Sequence, residues 1–301
     1  MRARVLAAAE KLGYEPNLVA RGLKHGATMT VAFIVRDISN PTAAEIVLGA
    51  EVVLRSRGYS MLLTNSHDDA SLDAAHIRLV RQRQVDGLLL TLADERNPET
   101  LNELRRLTVP FVVVDRDLPA DIPASRIVTD MRSGIREASE YLIRLGHRSI
   151  GLICGPATLR FGRECAAGLK AACRRHPEAV PAIRSGPLTR EHGRAATFDL
   201  LGAATPATAI IAGGNQLIPG VLEAVNELKL RVPDRVSLVT VDDIPLLHLV
   251  QPPIAVVSTD LVGLGEEAAR MLLDRIDGGA PTRAVVPTVF QPRESCGPPP
   301  R

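Results

Sequence analysis

The sequence predicts an α/β protein with two doubly wound parallel-sheet domains, a central cleft between them and short helices ahead of the first domain. Strand and helix patterns alternate from residue 29 onward, and the alternation restarts near the middle of the chain. The strands are nearly continuous apolar runs such as VAFIV, GLLL and FVVV, which is typical of parallel sheets covered by helices on both faces. With 301 residues, 46% of them hydrophobic, the chain is long enough for two cores.

Residues 1–26 predict two short helices ahead of any strand. The apolar stripe of the first helix comprises Val5, Leu6, Ala9 and Leu12. Gly13 ends this pattern, Pro16 turns the chain, and Asn17 is placed to cap a second helix that continues to Leu23. The segment is basic, because it contains Arg2, Arg4, Lys11, Arg21 and Lys24 against Glu10 and Glu15. This charge suits a segment that lies near phosphates, but a pair of solvated surface helices has the same pattern.

The first half of the chain then predicts a series of βαβ units. Its strands lie at 30–35, 60–64, 87–92, 110–114 and 126–129, and its helices at 42–57, 71–83 and 98–107. In the second half, the strands lie at 149–154, around 183, 208–212 and 236–241, and the helices at 131–145, 160–174, 189–201 and 217–228. A helix at 260–276 and a strand at 284–290 complete the two sheets, and the tail at 294–301 is expected to fray.

Composition excludes several classes of protein. A net charge of +2 argues against a surface that coats nucleic acid, so any DNA contact must come from a local patch such as residues 1–26. The four cysteines have no CxxC spacing and no nearby histidine cluster, so we expect no metal site, no disulfide framework and no cofactor. Glu10 and Lys11 interrupt the N-terminal apolar stretch, and no apolar run approaches ~18 residues, so we expect a cytoplasmic protein with no membrane contact.

Polar residues at the carboxyl ends of the predicted strands are the candidate ligand contacts, because ligands of open parallel sheets collect there. The candidates are Asp37 to Asn40, Asp115 with Arg116, Asp130, Arg160, Arg163, Gly213 to Asn215, and Asp242 with Asp243. From these we select as effector contacts Asn40, Asp115, Asp130, Arg160, Arg163, Asn215 and Asp242. Asp242 and Asp243 follow one strand together, and we assign Asp243 to cap the helix that starts near Pro245 and Asp242 to face the cleft. The alternative for Asp242 is structural capping. For Asp115 and Asp130 it is that they only tie down loops, and for the two arginines that they are helix-surface charges.

No catalytic residues are expected. The segment GLGEEA at 263–268 matches a dinucleotide fingerprint, but Asp260 is placed to cap the helix that contains it, so the glycines would lie inside the helix and not in a strand-to-helix turn. The chain has no GxSxG, no P-loop and no HExxH motif. The sequence therefore predicts a binding protein and not an enzyme.

Several segments resemble the lactose-repressor-type (LacI/GalR family) transcriptional regulators. KLGYEPNLVARGLK, followed by a strand and DISNP at 37–41, is similar to the junction between the DNA-binding head and the core in that family. Further matching pieces lie at 54–66, 83–90, 144–155 and 230–245, and 251–260 resembles the segment by which the family crosses between its two core domains. The resemblance covers nearly the whole chain.

The resemblance implies a ligand-responsive regulator, most of whose relatives are homodimers, with two periplasmic-binding-protein-like core domains. The implied domains are a head remnant and hinge helix at 1–26, a first core domain at 27–129 and 260–283, a second at 130–259 and 284–293, and a flexible tail at 294–301. The implied partners are operator DNA and a small-molecule effector such as a sugar or other metabolite, which Asp242 would bind through a hydroxyl or N–H. Leu23 would enter a minor-groove base step, with Asn17, Arg21 and Lys24 as further DNA contacts.

The chain departs from the family pattern at several positions. A helix-turn-helix needs two helices and only one precedes the hinge, so we expect an incomplete head and weak or no operator-specific binding by the chain as written. Cys165 stands where an arginine commonly clamps the effector, and we expect Arg163 or Arg160 to reach the site instead. Thr42 and Ala43 replace the usual aromatic pair. The competing interpretation is a headless or transport-type solute-binding protein without DNA binding, although a transported-solute receptor would need an export signal.

Overall fold

In the computed structural model of this protein, residues 28–83 and 85–300 are described. The two predicted N-terminal helices lie outside these residues, as do the proposed DNA contacts Asn17, Arg21, Leu23 and Lys24. Those predictions therefore stay predictions.

Strands and helices alternate along the described chain. The strands are β1 (Thr30–Val35), β2 (Ser60–Asn65), β3 (Gly87–Leu90), β4 (Phe111–Val114), β5 (Ser125–Thr129), β6 (Ser149–Cys154), β7 (Val180–Ser185), β8 (Ala209–Gly213), β9 (Ser237–Val241), β10 (Ala255–Thr259), β11 (Arg283–Val286) and β12 (Thr288–Gln291). The helices are α1 (Pro41–Ser56), α2 (Ala70–Gln82), α3 (Pro98–Arg105), α4 (Met131–Arg144), α5 (Arg160–Arg175), α6 (Arg190–Leu201), α7 (Ile218–Glu227) and α8 (Leu261–Ile276). Two short 3-10 helices lie at Asn215–Leu217 and Pro245–Leu249.

These elements form two lobes, each built on a six-stranded sheet. Lobe 1 is the parallel sheet β11-β5-β4-β3-β1-β2 with α1, α2, α3 and α8. Lobe 2 is the sheet β12-β10-β9-β8-β6-β7 with α4 to α7, and it is parallel except that β12 runs antiparallel to β10. Strands β3 and β4 are buried along their whole length, as their apolar runs predict. The predicted fold class is confirmed.

The chain crosses between the lobes three times, after β5, after β10 and between β11 and β12. The single strand predicted at 284–290 is wrong: Pro287 separates two short strands that belong to different sheets. Proline has no N–H to donate to a ladder, so the pairing ends there and the chain changes partner. Strand β10, which the sequence indicated only as a crossing segment, is an inner strand of the second sheet.

The C-terminal tail is ordered against lobe 2, contrary to the prediction that it frays. Ser295 is fully buried, accepts a hydrogen bond from the backbone N–H of Ala255 at 2.8 Å and donates one to the carbonyl of Leu238 at 2.6 Å. Further along, the carbonyl of Gly297 accepts from the hydroxyl of Ser237 at 3.1 Å. These buried bonds tie the tail to the strands β9 and β10.

The GLGEEA segment serves helix packing. Asp260 caps α8 by accepting a hydrogen bond from the backbone N–H of Gly263 at 2.8 Å, as predicted. A Cβ atom at Gly265 would lie 1.9 Å from the carbonyl oxygen of Ile46, and one at Gly49 would lie 2.0 Å from that of Val262. The glycines therefore allow α1 and α8 to pack backbone to backbone.

Within residues 28–83 and 85–300, none of the helices has the combined length and hydropathy of a transmembrane span.

Candidate binding cavity between the two lobes

A cavity of about 130 Å³ lies between the lobes, where the carboxyl ends of strands from both sheets meet. Both lobes supply polar groups to its wall, and the charged and amide side chains among them are Arg36, Asp37, Asn40, Asp115, Arg116, Asn215, Gln216 and Asp242. Apolar side chains complete it, among them Phe33, Met131, Leu159, Phe161 and Leu188. An apolar wall with a few converging polar groups is the usual composition of a small-molecule site.

Asp242 enters the cavity from lobe 2, directly after β9. Its backbone has a positive φ of 70°, and its N–H donates to the carbonyl of Val257 at 3.0 Å. Burial and the charge of Asp115 together raise the pKa of its carboxyl to about 6, against the opposing hydrogen bond from Asn215. The hydrogen bonds that this carboxylate accepts within the described chain come from Asn215, with Nδ2 to Oδ2 at 3.1 Å. A carboxylate has about four lone-pair sites, so it retains capacity to accept from a ligand.

Asn215 links the two lobes at one rim of the cavity. Its Nδ2 also donates to Oδ1 of Asn40 in lobe 1 at 3.0 Å. The same oxygen of Asn40 caps α1 by accepting from the backbone N–H of Thr42 at 3.2 Å. Beside them, Nε2 of Gln216 donates to Oδ2 of Asp37 at 2.9 Å. The predicted contacts Asn40 and Asn215 therefore both line the cavity and also hold its two sides together.

Asp115 lines the cavity, but its carboxylate already accepts hydrogen bonds from two neighbouring residues. It accepts from the backbone N–H and the hydroxyl of Thr129 at 2.8 Å to 3.0 Å, and from Nη1 of Arg160 at 3.1 Å. These bonds tie the end of β4 to the end of β5. The alternative interpretation, a loop-anchoring aspartate, accounts for its hydrogen bonds.

Arg160 and Arg163 do not line the cavity, contrary to the expectation that one of them reaches the ligand. Both lie in the first turn of α5 and face acidic residues of lobe 1. Arg163 donates from Nη2 to Glu95 at 2.6 Å and to Asp117 at 2.7 Å. Arg160 pairs with Asp115, and its backbone N–H donates to Glu95 at 3.1 Å. Their charges are taken up by an ion-pair network between the lobes, which we call the clasp.

Two other aspartates have structural roles. Asp130 lies outside the cavity wall and caps α4, where its Oδ1 accepts from the backbone N–H of Ser133 at 3.2 Å. The assignment of Asp243 as a helix cap is wrong, because its carboxylate forms an ion pair with Arg293 and the 3-10 helix after it has no side-chain cap. The charged Arg293 near the chain end competes for the carboxylate more strongly than a neutral backbone N–H does.

Two cavity residues were not among the selected effector contacts. Arg116 was a candidate only as a polar residue after a strand, and it is buried at the cavity wall. Phe161 supplies an aromatic side chain from α5, although the aromatic pair is absent at Thr42 and Ala43. Its position in the first turn of a helix that follows a strand was the available signal.

The site is built for binding. The thiol of Cys165 is fully buried, and burial raises its pKa well above the usual value, so it is neither a nucleophile nor a clamp. Within the part of the chain that the structure describes, no group of three or more His, Cys, Asp or Glu side chains is arranged to hold a metal ion. The wall offers donors, acceptors and apolar surface, which together orient a small polar molecule.

Comparison with known proteins points to one functional class. Residues 139–296 match the family described as periplasmic binding protein-like domain. The transcriptional repressor PurR of Pectobacterium atrosepticum is 32% identical over 281 residues, with 91% of this chain and 81% of that protein covered. The structure of the transcriptional regulator CelR with cellobiose superposes with a TM-score of 0.82 at 30% identity, covering 98% of this chain and 90% of that one.

A LacI family transcriptional regulator from Mycobacterium smegmatis superposes with a TM-score of 0.80 at 25% identity, covering 89% of this chain and 99% of that one. These relatives are transcriptional repressors and regulators and not enzymes. They agree with the prediction of a binding protein.

Proposed function

This chain belongs to the LacI family of transcriptional regulators, and we propose that it is an effector-responsive repressor that binds a small molecule between its lobes. Its partner would be operator DNA, contacted through the N-terminal segment of a cytoplasmic homodimer. We further propose that the two lobes are the separately moving domains implied by the family resemblance. The observation that carries the proposal is the carboxyl of Asp242, which faces the cavity and accepts hydrogen bonds from Asn215 alone within the described chain.

The size and polarity of the cavity favour a single hydroxylated ring as the effector. A cavity of about 130 Å³ is similar to engineered apolar cavities that hold one six-membered ring. Asp242 suits a hydroxyl or N–H donor, and Phe161 offers an apolar face. Two arginines and three aspartates line the wall, so there is no excess of positive charge to hold a phosphate. A monosaccharide or a metabolite of that size fits these features best.

The proposed response is a shift between open and closed arrangements of the lobes. Asn40 with Asn215 and the clasp join the lobes at separate places around the cavity. An effector that bonds to both lobes favours the closed arrangement, and it shifts the equilibrium only by its difference in affinity for the two states. The change in lobe angle would be relayed to the N-terminal segments of the dimer.

Titration calorimetry on a panel of monosaccharides and small hydroxylated metabolites tests effector binding. We expect a ligand with micromolar or tighter affinity for the wild-type chain, and loss of binding on Asp242→Ala. Asp234→Ala, which removes an exposed carboxylate of the same lobe, is the matched control and should bind normally. Unchanged affinity of Asp242→Ala would exclude the role of this carboxylate.

Selection from a random duplex library, followed by shift assays at fixed salt, tests DNA binding. Because phosphate contacts dominate affinity and depend on salt, the comparison must hold ionic strength constant. Sequence-selective binding that changes when the effector is added would support operator DNA as the partner. Effector binding without sequence-selective DNA binding would favour the alternative, a solute-binding protein without DNA binding.

A further inference from the structure

Arg116 is a buried cation without a partner carboxylate. It is 6% exposed, and it donates from Nε to the carbonyl of Leu92 at 2.7 Å and from Nη1 to the carbonyl of Asp115 at 2.9 Å. Within the described residues it forms no ion pair, and Nη2 donates no hydrogen bond to them. Burial and the charge of Arg36 together lower the pKa of its guanidinium to about 10, against the opposing charges of Asp115, Glu95 and Asp73. A buried charge of this kind calls for an acceptor in the cavity.

The other arginines near the cavity are engaged elsewhere. Arg160 and Arg163 belong to the clasp, where their charges meet Glu95, Asp115 and Asp117. Arg36 pairs with Asp68 at 3.1 Å and donates to Gln216 at 3.4 Å. Arg116 is thus the cavity guanidinium that two backbone carbonyls hold in place while one nitrogen keeps its donor capacity.

Arg116 and Asp242 approach the cavity from different lobes. Arg116 follows β4 of lobe 1, and Asp242 follows β9 of lobe 2. We propose that Arg116 is the guanidinium that binds the effector, in place of the arginine that Cys165 replaces, and that it donates to one hydroxyl oxygen of the effector while Asp242 accepts from another hydroxyl. This inference rests on the proposed function, and it identifies the effector as a neutral monosaccharide whose oxygens bridge the lobes.

The fixed geometry explains why a guanidinium from lobe 1 suffices. Its two bonds to main-chain carbonyls orient the planar group before the ligand arrives, so little side-chain freedom is lost on binding. Because the effector would contact one lobe through Arg116 and the other through Asp242, it would favour the closed arrangement. An arginine at position 165 would contact the effector from lobe 2, as Asp242 does, and lobe 1 would lack the contact that Arg116 provides.

The test compares how much Arg116→Met weakens binding of a parent sugar with how much it weakens binding of each monodeoxy analogue of that sugar. The probes are ribose, glucose and galactose, and then the monodeoxy analogues of whichever binds most tightly to the wild-type chain. We expect Arg116→Met to weaken binding of the parent sugar about 10-fold to 100-fold, and to leave one deoxy analogue almost unaffected. Arg126→Met, which removes a guanidinium that donates to the carbonyl of Pro119 outside the cavity wall, is the control and should bind as the wild type.

An equal loss for every analogue, or no loss, would overturn the role of Arg116. Suppose that Asp242→Ala abolishes sugar binding, while Arg116→Met changes the affinity for the parent sugar and for every deoxy analogue equally. The inference then fails and the proposed function stands. If no sugar binds to the wild-type chain, the monosaccharide class fails and this inference fails with it. Should Arg116→Met not fold, Arg116→Lys keeps the charge beside Asp115 but loses the fork, and the same coupling pattern is expected.

Discussion

Nη2 of Arg163 in lobe 2 lies 2.6 Å from Oε1 of Glu95 in lobe 1. The carboxylate of Glu95 is only 2% exposed, and it also accepts backbone N–H bonds from Arg160 and Asp117 at 3.1 Å each. One carboxylate of lobe 1 therefore receives donors from two residues of α5. This relationship holds the lobes together without any contribution from a ligand.

Arg163→Met should shift the lobes towards the open arrangement. The variant removes the charged donor from Glu95, and hydrogen bonds to charged groups contribute about 2 kcal/mol. We expect a larger radius of gyration by small-angle scattering and weaker effector binding, by roughly 3-fold to 30-fold. Arg270→Met, which removes a surface pair with Glu266 on α8, is the control. A radius equal to that of the wild type would show that the clasp does not favour closure.

Asp242→Asn should stabilise the chain near neutral pH. Burial raises the pKa of Asp242 from 3.8 to about 6, so between these values the folded chain holds a proton that the unfolded chain has released. Stability therefore falls as pH rises through this window and stays lower above it. We expect the variant to gain up to ~3 kcal/mol in urea unfolding near pH 7, and the gain to fade towards pH ~4. Asp234→Asn, on the surface, should show no such trend, and a pH-independent difference for Asp242→Asn would contradict the assignment.

Ser295→Ala should destabilise lobe 2. The substitution leaves the N–H of Ala255 and the carbonyl of Leu238 buried without their partner hydroxyl. Such unsatisfied groups cost about 1 to 3 kcal/mol, measurable as a lower urea midpoint. Ser258→Ala, which removes hydroxyl contacts at the surface of β10, is the matched control and should have little effect. Equal midpoints for wild type and Ser295→Ala would indicate that the tail contributes no stability.

Gly265→Ala should loosen the packing of α8 on α1. The new Cβ would lie 1.9 Å from the carbonyl oxygen of Ile46, a backbone atom that cannot rotate away. Overpacking of this kind costs about 1 to 3 kcal/mol, which lowers the melting temperature by several degrees. Gly155→Ala is the control, because its Cβ would meet nothing closer than 3.6 Å. A melting temperature that matches the control would contradict close helix contact.

Local patterns predicted the elements well. Strands β1 and β6 have the bounds that the sequence predicted, and most helix ends agree within two residues. Apolar runs, the capping residue Asp260 and glycine breaks act over a few residues, so a linear pattern contains them. The one strand predicted at 284–290 failed because Pro287 divides it between two sheets, and sheet membership depends on pairing with distant strands.

The polar ends of strands located only part of the candidate site. Asn40, Asp115, Asn215 and Asp242 line the cavity, since the carboxyl ends of parallel strands meet at one edge. Arg160 and Arg163 do not, because they pair with acidic residues far away in the sequence. No spacing rule relates these partners to one another.

The sequence by itself determined the class of fold and the two sets of βαβ units, because burial of apolar runs and helix capping are encoded locally. The family was indicated separately, by the segments that resemble its members. Only the tertiary structure decided which charges pair, that the tail packs against β9 and β10, and that Arg116 faces the cavity with Asp242. The physical reason is that a charged side chain pairs with the partner that distance and desolvation favour in three dimensions. Both quantities depend on how the two lobes, between which the chain crosses three times, come together.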